Sequence, residues 1–469
     1  MRRLFGWFVI LLVLGTIAAA TAYYLAGKGP PPALAIVKPD RVVGQTGSLD
    51  VTADAPGGKL TSLTIAVEQN GRSVPLFSLD NPLASGGLAA EGPDRLRVTR
   101  AFGKQNVPAL QSGPARIVVS ATRSVFFDLR TLSSSTTKDF VVQLEPPRLA
   151  VVSTHHYVNH GGSEMVIYRV TPPDVAMSGV RVGSVEYSGY PAAGAGVASA
   201  DPSLKVAFFA LLHEQDLAAP IAVFARDDAG NEAKAAFVDN VFQKPFRRSR
   251  IEVDDRFFQR VVPPILEHSP ELNLGPAGSS TSSPPPDLLA SFLKVNGELR
   301  KLNAERIVAI ASNSSPMRLW EGPFSQLGNS QVEAGFADHR TYIHAGKEID
   351  QQVHLGFDLA VTANVPVLAA NTGTVLHAAW LGIYGNCVIV DHGMGVASLY
   401  GHLSSFEVKA GDHVTKGQVL GKSGMTGLAG GDHLHFTVLV GGRPVNPVEW
   451  WDAHWVEDRV TRKLKEAAQ

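Results

Sequence analysis

Cysteine is nearly absent from this chain: Cys387 is the only one in 469 residues. That excludes an intrachain disulfide and a thiolate metal cluster. An excess of either charge is lacking too. The chain has 42 Lys and Arg against 43 Asp and Glu, a net charge of -1. No basic face is implied, so nucleic acid is not a favoured partner. Charged residues are 18% and hydrophobic residues 45% of the chain, an ordinary globular balance. The length exceeds what one compact core supports, so two to four domains are expected.

What is present begins with one long apolar run. Met1-Arg2-Arg3 precedes an uncharged stretch from Leu4 to about Ala26. More than ~18 apolar residues can span a bilayer as a helix. The two arginines are expected to stay on the cytoplasmic side and send the rest outward. A cleaved signal peptide is the competing reading, with Ala20-Thr-Ala22 as its cleavage site. The length of the run and Tyr23-Tyr24 at its outer end favour an uncleaved anchor over 1–27. The expected location is the inner membrane, single-pass, with the bulk of the chain in the periplasm of a Gram-negative cell. If the signal is cleaved, the chain is exported.

The rest reads as mainly β. Short alternating runs such as 60–67 (LTSLTIAV), 115–122 (ARIVVSAT) and 139–144 (DFVVQL) suit an antiparallel β-sandwich over 33–146. Pro146-Pro147 marks a boundary. A second β-sandwich is expected over 148–242. Its strand–Asp227-Asp-Ala-Gly-Asn231–strand pattern resembles the last hairpin of bacterial immunoglobulin-like domains. Asp227 and Asp228 are read as a hairpin turn rather than a Ca²⁺ site. Over 249–333 the period becomes helical, with Phe257, Val261, Val262 and Ile265 on one face and Leu288, Phe292, Leu299 and Leu302 on another. Two helices are expected, joined by a Gly/Ser/Pro-rich loop at 275–286. From 336 to 455 the chain is β-rich again, with many glycines marking turns and bulges.

Ten of the fifteen histidines lie between His339 and His454. His354 and Asp358 are four apart, and His433 and His435 two apart. On strands, even spacing puts each pair on one face. Two histidines and a carboxylate can converge on one ion, and a zinc hydrolase usually has three protein ligands plus water. At least one histidine then stays off the metal and is free to act as acid or base.

Together, His354-x-Gly-x-Asp358, Gly401-His402-Leu403, Gly424-x-Thr-Gly427 and His433-Leu-His435-Phe436 resemble the lysostaphin/LytM family of zinc metalloendopeptidases. The resemblance covers about 336–451. It implies a glycine-rich antiparallel β domain (the duplicated hybrid motif, with lipoyl-like hairpins). It also implies one Zn²⁺ per chain, held by His354, Asp358 and His435, with His402 and His433 as catalytic histidines. The implied reaction is hydrolysis of peptide cross-links of peptidoglycan by attack of a metal-bound water. In a Gram-negative setting the expected bond is D-Ala to meso-diaminopimelate. Degenerate family members lack ligands and activate separate amidases. A non-enzymatic wall-binding or amidase-activating role is therefore the alternative, and a structural zinc site that only stabilises the fold is a third reading. This sequence keeps every ligand position and both histidines. Latent members of the family cover their groove with another part of the chain, and 249–333 is the expected candidate for such a cover. Expected partners are peptidoglycan stem peptides, the inner membrane through the N-terminal helix, and envelope regulators.

Overall fold

The computed structural model describes residues 2–56, 59–81, 87–92, 94–198, 201–272 and 287–468. The loop read at 275–286 lies outside the described residues. The chain divides into two compact units, Met1–Pro147 with Arg226–Glu232, and Arg148–Ala225 with Ala233–Gln469.

The first unit starts with the helix Arg2–Ala26. Its stretch Phe5–Ala26 is long and apolar enough to cross a membrane, and its side chains are exposed. A β-sandwich follows. One sheet has the order Ala33–Lys38, Gly47–Asp54, Arg95–Phe102, Leu88–Ala90. The other runs Val42–Val43, Arg130–Val142, Gly113–Val125, Leu60–Gln69, Arg72–Ser78. Strict alternation builds the core: Ala115, Ile117, Val119 and Ala121 point inward from one strand and meet Leu49, Val51, Val98 and Phe102.

Two four-stranded sheets lie in the second unit, apart from the turn Arg226–Glu232 that is counted with the first. Their orders are Arg148–Val151, Ser163–Thr171, Leu204–Ala210, Tyr190–Pro191 and Val185–Ser188, Met177–Val182, Ile221–Arg226, Glu232–Ala236. In the turn of the last hairpin, Asn231 donates to both carboxylate oxygens of Asp227, at 2.8 and 2.9 Å. The carboxylate therefore closes a turn.

The segment read as helical from Ser249 begins differently. Arg248–Glu252 is a strand, parallel to Asp338–His344. The first helix, Asp255–Glu267, starts only after Asp254 caps the Phe257 amide. A second helical stretch runs through Leu288–Lys294, a π turn at Val295–Leu299, and Arg300–Ala311.

The C-terminal domain is built on one large antiparallel sheet. Its order is Gln331–Ala334, Phe357–Ala360, Leu434–Val440, Val396–Leu403, Asn386–Gly393, Gly373–Trp380, His413–Val414, with Arg443–Val445 paired to Leu434–Val440. A small sheet of Pro366–Leu368, Val419–Lys422 and Ser405–Phe406 lies beside it. After it, helices from Ala453 to Ala467 bury Val456, Val460 and Leu464.

Buried polar bonds join this domain to the preceding sandwich. Lys463 Nζ donates to Glu164 Oε1 at 2.9 Å. Glu449 accepts from Asn159 Nδ2 at 2.8 Å and from the Ser163 amide at 2.7 Å. Gly162 leaves room for it: a Cβ there would lie 2.2 Å from Glu449 Oε1. Burial pushes the Glu449 carboxyl up to about 7, against the pull of those donors.

A carboxyl raised in the folded state stabilises below its unfolded value of about 4.3, and that stability is lost as pH rises towards 7. Glu449→Gln cannot ionise. Between these pH values, wild-type protein is expected to lose on the order of 3 kcal/mol more than Glu449→Gln. Tm measured across this range checks it; parallel pH profiles would contradict it.

Candidate metal centre

Three neighbouring strands set the centre. Asp358 in Phe357–Ala360 stands opposite His435 in Leu434–Val440. On the other side, His435 stands opposite Gly401 in Val396–Leu403. The carboxylate and the imidazole are thus cross-strand neighbours. His354 arrives differently. The sequence expectation puts it on one strand with Asp358, but it ends Lys347–His354, a strand of a separate three-stranded sheet. The chain turns at Leu355-Gly356 before Phe357–Ala360 begins. Gly356 is required there by close approach: a Cβ would lie 2.5 Å from both His435 Nε2 and Thr437 Oγ1.

Three atoms converge. His354 Nε2 is 2.9 Å and His435 Nδ1 3.0 Å from Asp358 Oδ1, and the two nitrogens are 3.0 Å apart. The far side of each ring fixes its tautomer. His354 Nδ1 donates to the Gly335 carbonyl at 3.1 Å. The Thr437 hydroxyl donates to the Leu355 carbonyl at 2.9 Å, so it accepts from His435 Nε2 at 3.0 Å. In the neutral rings, the two inward nitrogens therefore carry lone pairs, aimed at each other and at a carboxylate oxygen. Such a set repels itself unless a cation sits among it. Two imidazoles and a carboxylate fit a divalent metal that takes nitrogen and oxygen ligands. Burial pushes His435 down to about 4, which favours the neutral ligand form. Burial alone would raise Asp358, but His354, His433 and His435 hold it well below the usual carboxylate range.

Two more histidines stand at the rim. His402 lies in a bulge, where Gly401 and His402 together oppose Cys387, between the pairs Asn386↔Leu403 and Val388↔Tyr400. Its φ is +63°, a left-handed conformation uncommon outside glycine. The Gly424-x-Thr-Gly427 motif holds it there. His402 Nδ1 donates to the Thr426 carbonyl at 2.7 Å. The Thr426 hydroxyl donates to Leu403 O and accepts from Asn386 N, both at 2.9 Å. His433 precedes its strand and bridges Gly424. It donates Nδ1–H to Gly431 O at 2.8 Å, while its Nε2 lies 3.4 Å from Asp358 Oδ1. The His402 and His433 rings are 4.8 Å apart. Burial, then the neighbouring His433 and His435, holds His402 well below its ordinary value. Burial alone would also lower His433, but Asp358 raises it.

All five residues singled out from the sequence thus meet around one cavity of about 90 Å³. The remaining histidines of the C-terminal domain serve elsewhere. His392 is buried between Thr372 O and Ser398 Oγ, at 2.8 and 2.7 Å. His344 pairs with Asp255, and His413 with Thr374. Burial raises the Cys387 thiol, which suits an inert core residue. Sequence reasoning missed three contributors. Thr437 carries a legible signal, two residues beyond His435 on the same strand face. Arg340 donates to the outer oxygen of Asp358 at 3.0 Å, and Arg300 lines the cavity from a helix. Neither arginine has a sequence signal.

Residues 352–447 match peptidase family M23. The DD-carboxypeptidase/endopeptidase Mpg of Neisseria meningitidis serogroup B is 41% identical over 97 residues, covering 21% of this chain and 22% of that protein. The peptidoglycan DD-endopeptidase ShyA of Vibrio cholerae is 40% identical over 96 residues, 20% of this chain and 22% of that protein. Among solved structures, the catalytic domain of the antimicrobial peptidase lysostaphin from Staphylococcus simulans is 28% identical. It aligns with 28% of this chain and 98% of its own length, with a TM-score of 0.25. The chain therefore carries an M23 (LytM-type) domain, and the matches span about a fifth of its curated relatives.

Partners that orient a metal-bound histidine typically contribute 10–100-fold to metal affinity. Thr437→Val removes the acceptor for His435 Nε2–H while keeping the shape. Metal affinity, read by competition with a chromophoric chelator, is expected to fall by about that factor. Unchanged affinity would contradict the tautomer assignment.

Proposed function

We propose that this chain is a membrane-anchored zinc endopeptidase that hydrolyses peptide cross-links of peptidoglycan. One observation carries the reading: three buried ligand atoms converge with their lone pairs fixed inward, and two further histidines stand beside them. His354 Nε2, Asp358 Oδ1 and His435 Nδ1 would hold the zinc. When bound, zinc supplies a Lewis acid for the scissile carbonyl and lowers the pKa of a water in its open position. The chain's own residues supply the rest.

His402 has its Nδ1–H pinned to Thr426 O, so its Nε2 is the face that accepts a proton from the attacking water. His433 has its Nδ1–H pinned to Gly431 O, and its Nε2 faces Asp358, whose charge favours a proton there. That proton can be donated to the developing oxyanion or the leaving amine. Arg340 holds the outer oxygen of Asp358, which keeps the inner one turned to the cluster.

Peptidoglycan as substrate is supported by the Vibrio relative, named a peptidoglycan DD-endopeptidase, beside the Neisseria relative, named a DD-carboxypeptidase/endopeptidase. A bond between D-Ala and meso-diaminopimelate is the finer form of the proposal. The domain arrangement read from the sequence, with an anchor, two sandwiches and a helical segment before the peptidase, suits an enzyme that must reach a wall layer from the inner membrane into the periplasm. The helical segment is also proposed as a cover. Arg260 Nη2 donates to Gly430 O at 2.9 Å, and Leu428 and Ile383 pack with Phe258 and Phe292. Leu428, Ile383 and Gly430 of that packing also line the cavity, so the segment narrows the approach to the site.

Incubation of the zinc-loaded full chain with purified cross-linked muropeptides tests the reading. Once the helical segment is opened, cross-linked dimers are expected to convert to monomers, and a chelator or His435→Ala to abolish the conversion. His402→Ala is expected to keep the metal and lose about 10²–10⁴-fold in rate. Absence of cleavage by zinc-loaded protein under conditions that open the helical segment would overturn the proposal.

A further inference from the structure

The first unit carries an apolar hairpin tip that the peptidase reading leaves unused. Strands Gly113–Val125 and Arg130–Val142 pair along their full length, from Gly113↔Val142 to Val125↔Arg130. The tip at 126–129 reads Phe-Phe-Asp-Leu. Phe127 is 91% exposed and Leu129 70%. Phe126, Phe127 and Asp128 all have positive φ, between +54° and +64°. Small or polar residues usually take such positions, because a bulky side chain there is strained. Two phenylalanines at this place serve neither the core nor the turn.

The tip is docked on the outer end of the apolar helix. The Phe126 ring meets the Tyr23 ring edge-on at 5.7 Å. The Arg130 guanidinium lies 4.9 Å over the Tyr23 ring, and Arg130 Nη1 donates to Tyr23 O at 2.8 Å. Gly27 allows this: a Cβ there would collide with the Arg130 guanidinium. The following residues are tied down as well. Arg123 donates twice to Pro30 O, at 3.0 and 2.6 Å, and Ser134 Oγ donates to Pro32 O. Helix end, connecting residues and hairpin are therefore joined at several points.

Depth follows from length. Phe5–Ala26 has 22 residues. At 1.5 Å per residue it spans about 33 Å, against a hydrocarbon core of about 30 Å. Tyr23 and Tyr24 then sit at the membrane–water boundary, where aromatic rings concentrate. A tip that touches Tyr23 sits at the same level. Lys28, 4.7 Å from the Tyr24 ring, and Arg130 place cations beside the lipid phosphates.

We propose that Phe127 and Leu129 insert into the headgroup–acyl boundary of the bilayer that the helix crosses. The first sandwich then has a second membrane contact beside its anchor. This rests on the helix spanning the membrane. Two attachment points hold the sandwich at a set tilt, where a helix alone would let it pivot.

Site-directed spin labelling of the full chain tests this. Cys387 is fully buried, so a nitroxide reagent reports only the introduced cysteine. Phe127→Cys, Leu129→Cys, Leu14→Cys and Ser112→Cys proteins are labelled and reconstituted in phosphatidylethanolamine/phosphatidylglycerol vesicles without other protein. Ser112 is exposed and precedes the strand at the far end of the hairpin. Thirteen strand residues put it roughly 40 Å from the tip. The expected result is loss of collisions with a water-soluble nickel complex and gain of collisions with oxygen at Phe127 and Leu129, towards the values at Leu14. Ser112 should stay open to nickel. Nickel exposure at both tip sites equal to that at Ser112, with Leu14 shielded, would overturn the proposal and leave the anchor standing. Nickel exposure at Leu14 would overturn both.

Discussion

The C-terminal domain depends on one confined encounter: two imidazole lone pairs and a carboxylate oxygen within about 3 Å of one another. Alone, that grouping is repulsive. It persists because each ring is held from behind, His354 by the Gly335 carbonyl and His435 by Thr437. Thr437 is oriented in turn by the Leu355 carbonyl. The backbone between His354 and Asp358 thus supplies the bond that orients His435, and Gly356 permits its passage. The glycine of the H-x-G-x-D motif is a packing requirement of the histidine and threonine across from it.

The same economy governs the rim. Thr426 spends its carbonyl on His402 and its hydroxyl on two strands. Gly385 and Gly427 approach so closely that a Cβ on Gly427 would meet Gly385 N at 2.4 Å. The bulge at Gly401-His402 turns a residue that regular pairing would align elsewhere towards the cluster. Fold and chemistry are therefore joined in short motifs whose glycines and threonine position histidines without contacting the cavity's centre.

Much of this was legible. His433 and His435 alternate with apolar residues that continue into a strand, and the motif set matched one family. Strand periodicity found the sandwiches because inward positions such as 115, 117, 119 and 121 alternate without interruption. The break between His354 and Asp358 was not legible, since a spacing of four fits one strand as well as a strand, a turn and a second strand. Arg340 was invisible because its partner, Asp358, is eighteen residues on and in another sheet. Likewise Lys463 meets Glu164 across 298 intervening residues, a pairing that no local pattern signals. The strand at Arg248–Glu252 was masked because its pairing partner, Asp338–His344, comes after the helices.

The most direct measurement is a crystallographic anomalous difference map of zinc-loaded protein, collected on both sides of the zinc absorption edge. The predicted result is one peak per chain, bounded by His354 Nε2, Asp358 Oδ1 and His435 Nδ1, with the rings of His402 and His433 beside it and not ligating. A peak held by His402 or His433 in place of one of those three, or no peak at the cluster, would contradict the convergence of fixed lone pairs as the basis of the site.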